Sequence, residues 1–213
     1  MKIPDRIKII LSLIPQCDVL MDVGCDHGIL GVAALQEKKV EKVVFTDISL
    51  PSLKKAEALA KQQGLEDKCR FLHGDGFCGE RADCVVIAGM GGKEILKIID
   101  NGGFLPEYMV LNPMRNADTV RRALQEKYFF QLDEKFFDKK FYDVMALKRG
   151  GDSLTETEIK YGKTNIALFG KDFIKFLHLQ QSKYNKINDV AKSSEVKKNL
   201  EEIDELLSRS KNV

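Results

Sequence analysis

No stretch of the 213-residue chain approaches 18 uninterrupted apolar residues, so a membrane-spanning helix is excluded. Histidine is scarce, with only His27, His73 and His178. Without an H-x-x-x-H pair or a Cys/His cluster, no metal centre is expected. The five cysteines are odd in number and match no zinc spacing, so they do not form a disulfide framework. They read as buried thiols in a cytoplasmic protein, and only Cys25 has a reason to touch a ligand. Charge of one sign is also missing: 34 Lys and Arg stand against 32 Asp and Glu, a formal +2. A uniformly basic nucleic-acid binder is therefore not expected, although the positive residues are locally grouped.

The composition that remains is that of an ordinary globular protein, 44% apolar and 31% charged. The opening "MKIPDRIKIILSLIP" carries Asp5 and no small-residue cleavage site, so it reads as an amphipathic helix rather than a signal peptide. Up to about residue 149 β-type and helical segments alternate. Strands are expected at 18–22, 42–47, 69–75, 82–89 and 108–113, each followed by a helical segment except the third. Two adjacent segments, "FFQLDEKFFDKK" and "FYDVMALKRG", resemble an antiparallel pair closing a parallel sheet. Continuously apolar strand cores imply helices on both faces, and short connections imply a doubly wound α/β sheet.

After "KRGGDSLTETE" no further strand is needed. A helix is expected through "KDFIKFLHLQQSKYNKINDVA", with Phe173, Phe176, Leu177, Tyr184, Ile187 and Ala191 on one stripe. A second follows, capped by Ser193 or Ser194, with Val196, Leu200, Ile203, Leu206 and Leu207 on its stripe. Narrow stripes on charged helices predict an antiparallel hairpin, the alternative being a solvated dimerisation helix. The expected division is residues 1–152 as a catalytic domain and 153–213 as a helical accessory.

In a doubly wound sheet, ligands bind beyond the carboxyl ends of the strands, where the strand order reverses. Four features fall there. The turn "DVGCDHG" contributes Asp22, Gly24, Cys25, Asp26 and Gly28, and strand two ends at Asp47 followed by Ile48. "HGDGF" holds Asp75 and Gly76, and "AGMGG" holds Gly89, Met90 and Gly91. This is not the G-x-G-x-x-G fingerprint of a nicotinamide site, and Asp26 would repel a pyrophosphate. Carboxylates suit instead a ribose diol, an exocyclic amine and a cationic amino acid. S-adenosylmethionine carries all three, with a positive sulfonium besides. Asp47 is placed for the diol, or as a helix cap; Asp75 suits the adenine amine, or is a turn residue. Asp26 and His27 either meet a ligand or form a local pair at the helix start.

"DVGCDHG", "AGMGG", "LNPMRN" and the helical tail together resemble the bacterial tRNA adenine-N1 methyltransferases that modify adenine 22. The resemblance runs over nearly the whole chain. It implies a class I methyltransferase (Rossmann-like) sheet with a C-terminal coiled-coil hairpin, S-adenosylmethionine as donor and tRNA as acceptor. The chain departs from the family pattern in two places. An aromatic-containing "DHAYLP"-like run is here Asp26-His27 followed by "GILG", and Gln-Pro-Asn after strand five is here Asn112-Pro113-Met114. Asp26, Asn112 and His27 are the expected catalytic residues. Pro113, Arg115, Asn116, Lys171 and Lys175 are expected to contact substrate, with Arg121, Arg122, Lys183 and Lys186 as further phosphate candidates. A monomer is expected, without an obligate protein partner. The alternatives are a noncatalytic RNA-binding adaptor, a methyltransferase for another RNA position or a small molecule, and a nucleotide-dependent oxidoreductase.

Overall fold

Side chains along the central strands alternate between two apolar layers, which is why these strands read as unbroken hydrophobic runs. In β1 (Cys17–Val23), Leu20 faces one core and Met21 the other; in β4 (Cys84–Ala88), Val86 and Val85 divide the same way. The computed structural model describes residues 2–190 and 193–212. With β2 (Val40–Asp47), β3 (Cys69–His73), β5 (Tyr108–Asn112), β6 (Tyr128–Asp138) and β7 (Lys140–Arg149), the sheet has seven strands in the order β3-β2-β1-β4-β5-β7-β6. Strands β1 to β5 are parallel, and β7 runs antiparallel to both neighbours. The order reverses between β1 and β4, so a crevice opens above their carboxyl ends.

Helices α1 (Asp5–Ser12), α2 (Ile29–Gln36) and α3 (Leu50–Gln62) cover one face, packing Ile10, Leu30, Ala56 and Phe45 together. Helices α4 (Gly92–Asn101) and α5 (Ala117–Leu124) cover the other through Ile95, Ile99 and Val120. The expected strands of residues 17–149 are present, with ends shifted by one or two residues, and the expected helices are present too, although α1 is confined to Asp5–Ser12 and α5 stops at Leu124, four residues before the expected Tyr128.

Two helices were not expected, α6 (Glu156–Tyr161) and α7 (Lys163–Leu168). Thr155 opens α6 with a capping box: its hydroxyl accepts from Glu158 N–H while the Glu158 carboxylate accepts from Thr155 N–H. Leu154 and Ile159 are buried with the α4–α5 face of the sheet. Helices α8 (Lys171–Val190) and α9 (Ser194–Arg209) pack on each other within the chain, with Gln181 donating to Asp204 at 2.6 Å. Phe173, Leu177, Ile203, Leu206 and Leu207 form a third core with Tyr161 and Phe169. Ser193 occupies the N-cap position of α9 without a side-chain hydrogen bond. Ala191, expected on the α8 stripe, lies outside the described residues. Among the described residues, no helix is long and apolar enough to cross a membrane.

Candidate functional site

The turn between β1 and α2 is built on left-handed backbone, with Gly24 at φ 67°, Asp26 at φ 49° and Gly28 at φ 70°. Gly24 and Cys25 donate their N–H groups to Thr46 O, at 2.8 and 3.2 Å, which ties the turn to the end of β2. Gly24 is required by its positive φ, and a Cβ there would also displace the Met90 Cε that packs against it. Asp26 has no such steric freedom. Its left-handed conformation costs on the order of a kcal/mol or more, and strain of this kind clusters at functional sites.

Above the turn lies a cavity of about 620 Å³, lined by Asp22, Gly24, Cys25, Asp26, His27, Asp47, Gly89 and Met90, with Arg6 and Ile7 of α1 on its wall. The volume is in the range of small-ligand pockets. Three carboxylates define its chemistry. Asp22 is buried, accepts from Gly31 N–H at 3.2 Å, and is pushed up to about 7 by burial, with the nearby Asp47 adding to the shift. Asp47 accepts from Asp26 N–H at 3.0 Å and from Ser49 N–H at 2.7 Å, one bond on each oxygen. Lone pairs therefore remain on both oxygens for a ligand diol. Burial beside these acids pushes the Cys25 thiol well up, so it stays neutral and is no nucleophile.

Asp26 and His27 do form the local pair, Oδ2 to Nδ1 at 2.9 Å, and both side chains stay exposed at the cavity mouth. Lys55 Nζ lies 3.2 Å from His27 Nε2. A lysine ammonium can only donate, so Nε2 accepts and the ring proton sits on Nδ1, aimed at Asp26. Helix α3 thus fixes the tautomer that holds the Asp26 carboxylate. Nothing in the local pattern around Lys55 marks it for this; the contact spans 28 residues.

The other expected residues distribute unevenly. Asp75 and Gly76 line a separate hollow with Phe77, Cys78 and Ile98. Ile48 projects its side chain at the end of β2, 71% exposed, while its carbonyl accepts from His73 Nε2 at 3.1 Å. The loop after β5 is tied to the loop after β4 by Met114 N–H donating to Met90 O at 2.8 Å. Arg115 lies across Gly91, its Nε 3.1 Å from where a Cβ would stand, and its carbonyl accepts from Gly92 N–H at 2.9 Å. Asn116 is exposed at φ 57°. Pro113 is buried.

Asn112 does not reach the cavity surface. It is 0% exposed, its Nδ2 donates to Asp143 O at 2.6 Å, and its Oδ1 has no partner. Arg121 requires a correction, because a phosphate cannot reach it. It is 1% exposed and held by Asp133 and Asp143. Arg122 is exposed but engaged by Glu156 through two bonds of 2.9 and 2.6 Å. Lys171 and Lys175 are exposed at the start of α8, with Lys175 Nζ 3.4 Å from the Phe137 ring centre. No group of His, Cys, Asp and Glu that could hold a metal occurs among the described residues.

A family model described as a methyltransferase domain matches residues 3–145. The tRNA (adenine(22)-N(1))-methyltransferase of Bacillus subtilis (strain 168) is 27% identical over 232 aligned residues, covering 100% of this chain and 97% of the relative. The crystal structure of the B. subtilis m1A22 tRNA methyltransferase TrmK superposes with a TM-score of 0.77 at 25% identity, covering 99% of this chain and 98% of that one. TrmK of M. capricolum in complex with S-adenosyl-homocysteine superposes with a TM-score of 0.86 at 20% identity, covering 98% and 99%.

Proposed function

Because this chain belongs to the methyltransferase-domain family matched over its residues 3–145, we propose that it methylates N1 of adenine 22 in tRNA, with S-adenosylmethionine as donor. The observation that carries the reading is the set of three carboxylates facing one cavity behind a glycine turn. Asp47 takes the ribose diol, and Asp22 faces the cationic amino-acid end. Gly24, Gly89 and Met90 let the donor lie against the backbone. The donor supplies an electrophilic methyl group on a positive sulfonium.

Adenine N1 would attack the methyl carbon with its own lone pair while the carbon–sulfur bond breaks and its electrons pass to sulfur, releasing a neutral thioether, so no strong general base is required and the site must mainly align the reactants. The base leaves its stack to reach the cavity, at a cost of about a few kcal/mol. Asp26 accepts from its exocyclic amine and favours the positive charge that develops on the methylated ring. His27, with its Nδ1 proton held toward Asp26, orients that carboxylate. Asn112 works from behind the cavity, pinning the Pro113–Met114 loop to β7. We read residues 1–152 as the catalytic unit and 153–213 as the accessory that helps hold the RNA, in a cytoplasmic monomer. Arg115, Asn116, Lys171 and Lys175 are the expected substrate contacts. Replacing Lys171 and Lys175 together by Gln should weaken tRNA binding several-fold. The slope of log affinity against log salt should fall by about two, with donor binding unchanged. An unchanged slope would remove these lysines from the interface.

The donor site is tested by calorimetric titration with S-adenosylhomocysteine between pH 5.5 and 8.5. The amino-acid end of the ligand prefers ionised Asp22. Affinity should therefore rise by up to about tenfold per pH unit below about 7 and level off above it. The ligand-free fold should behave in the opposite sense. Asp22 binds its proton more tightly folded than unfolded, so stability falls as pH climbs from about 4 to about 7. Asp22→Asn should flatten both profiles. Binding no tighter than millimolar in the wild-type protein would defeat the donor assignment.

A further inference from the structure

Among the described residues that line the cavity, Arg6 is the only arginine or lysine. It stands in the first turn of α1, half-buried, and lines the same cavity as the acids. Its guanidinium lies 5.5 Å over the Tyr142 ring, and its Nη1 approaches Met114 Sδ at 3.9 Å. That thioether is a weak acceptor, and the arginine pairs with no carboxylate among the described residues. Asp22, Asp26 and Asp47, in the same cavity, are engaged instead by Gly31, His27 and the backbone at Asp26 and Ser49.

A guanidinium offers five donors in a planar fork matched to a carboxylate or a phosphate. The Tyr142 ring, which also has Lys140 Nζ 5.1 Å from its centre, supports the guanidinium on one side. The ring of Tyr142 is itself stacked on Phe136, centres 5.3 Å apart and planes within 16°, so this platform is anchored in the sheet. A cavity lined by three carboxylates and by one arginine that pairs with no carboxylate among the described residues suits a ligand carrying both signs of charge. We propose that Arg6 is the anion-binding residue of this cavity, gripping an oxyanion while the carboxylates take the cationic and hydroxyl groups.

The inference rests on the methyltransferase reading and names two sources for that oxyanion: the carboxylate of the donor's amino-acid end, and a backbone phosphate of the RNA at the cavity mouth. Arg6→Gln removes the charge, and Arg6→Lys keeps it without the fork. Each is titrated with S-adenosylhomocysteine and with methylthioadenosine, which lacks the amino-acid end, and each is assayed with tRNA over a range of salt. If the donor carboxylate is the anion, Arg6→Gln weakens S-adenosylhomocysteine about tenfold or more and leaves methylthioadenosine unchanged, with Arg6→Lys intermediate. If a phosphate is the anion, both nucleosides bind normally, KM for tRNA rises about tenfold, and the salt slope falls by about one. Changes below twofold in every assay would overturn the proposal. Equal weakening of both nucleosides would overturn it as well, because Arg6 would then only support the wall. Failure of the wild-type protein to bind S-adenosylhomocysteine would instead count against the parent reading.

Discussion

Asp26→Asn is expected to slow single-turnover methylation of tRNA about a hundredfold or more while leaving affinity for S-adenosylhomocysteine within about threefold. The substitution keeps the size of the side chain and removes the negative charge that we propose faces the methylated ring as it becomes positive. Loss of one preorganised electrostatic partner costs about 10² to 10³ in rate. Donor affinity is protected because the contact from this residue to Asp47 is made by the backbone N–H, which the substitution retains. Lys55→Met should reproduce part of the loss, since it frees His27 Nε2 and with it the tautomer aimed at Asp26. A near-normal single-turnover rate for Asp26→Asn would exclude the carboxylate from the chemical step.

The largest loss of stability is expected from Arg121→Met. Arg121 donates to Asp133 at 2.8, 2.9 and 3.0 Å, to Asp143 at 2.8 Å and to Ile159 O at 3.2 Å. Asp133 is 0% exposed and also accepts from Lys163 N–H at 3.0 Å, so α5, β6, β7, α6 and α7 meet at one guanidinium. Removing it strands buried negative charge, which costs about 3–5 kcal/mol. Burial already pushes the Asp133 carboxyl up and Arg121 opposes that shift, so in the variant Asp133 binds a proton more readily. The destabilisation should therefore shrink as pH is lowered toward 5. Denaturant unfolding at several pH values measures it, with Arg122→Ala, whose side chain is solvent-exposed, staying close to wild type. A loss under about 1 kcal/mol, or a loss of tRNA affinity with stability intact, would restore Arg121 to the RNA surface.

The contrast between these two arginines shows what the chain reveals by itself. "RRAL" reads as a basic pair because the partners of Arg121 lie 12 and 22 residues away on the antiparallel strands β6 and β7. Four of the five parallel strands were legible because each has an apolar core closed by Gly, Asp or Asn, and the short β3 because "RFLH" is closed by Gly74. The acids of the crevice were legible because they stand at strand ends, where ligands bind in this topology. Helices α6 and α7 escaped because six residues carry too little periodicity, although Thr155-x-x-Glu158 is a capping signal in its own right. Arg6, Lys55 and Tyr142 escaped for a different reason. Arg6 lines the cavity from α1, Lys55 and Tyr142 touch lining residues from α3 and β7, and only the packing of these elements creates the contacts. Asn112 shows the converse: its place at the end of β5 suggests a base contact, whereas its amide is turned to the neighbouring strand β7, where it donates to Asp143 O.

The central claim is transfer of a methyl group to one atom of one nucleotide, and mapping the product tests it most directly. Unmodified tRNA carrying adenine at position 22 is incubated with the protein and S-adenosylmethionine, digested to nucleosides and fragments, and read by mass spectrometry. The expected result is one added methyl group, recovered as 1-methyladenosine in the fragment containing position 22, and lost when that adenine is replaced by guanine. A methyl group on another atom or nucleotide, or no product from a protein that binds S-adenosylhomocysteine, would contradict it.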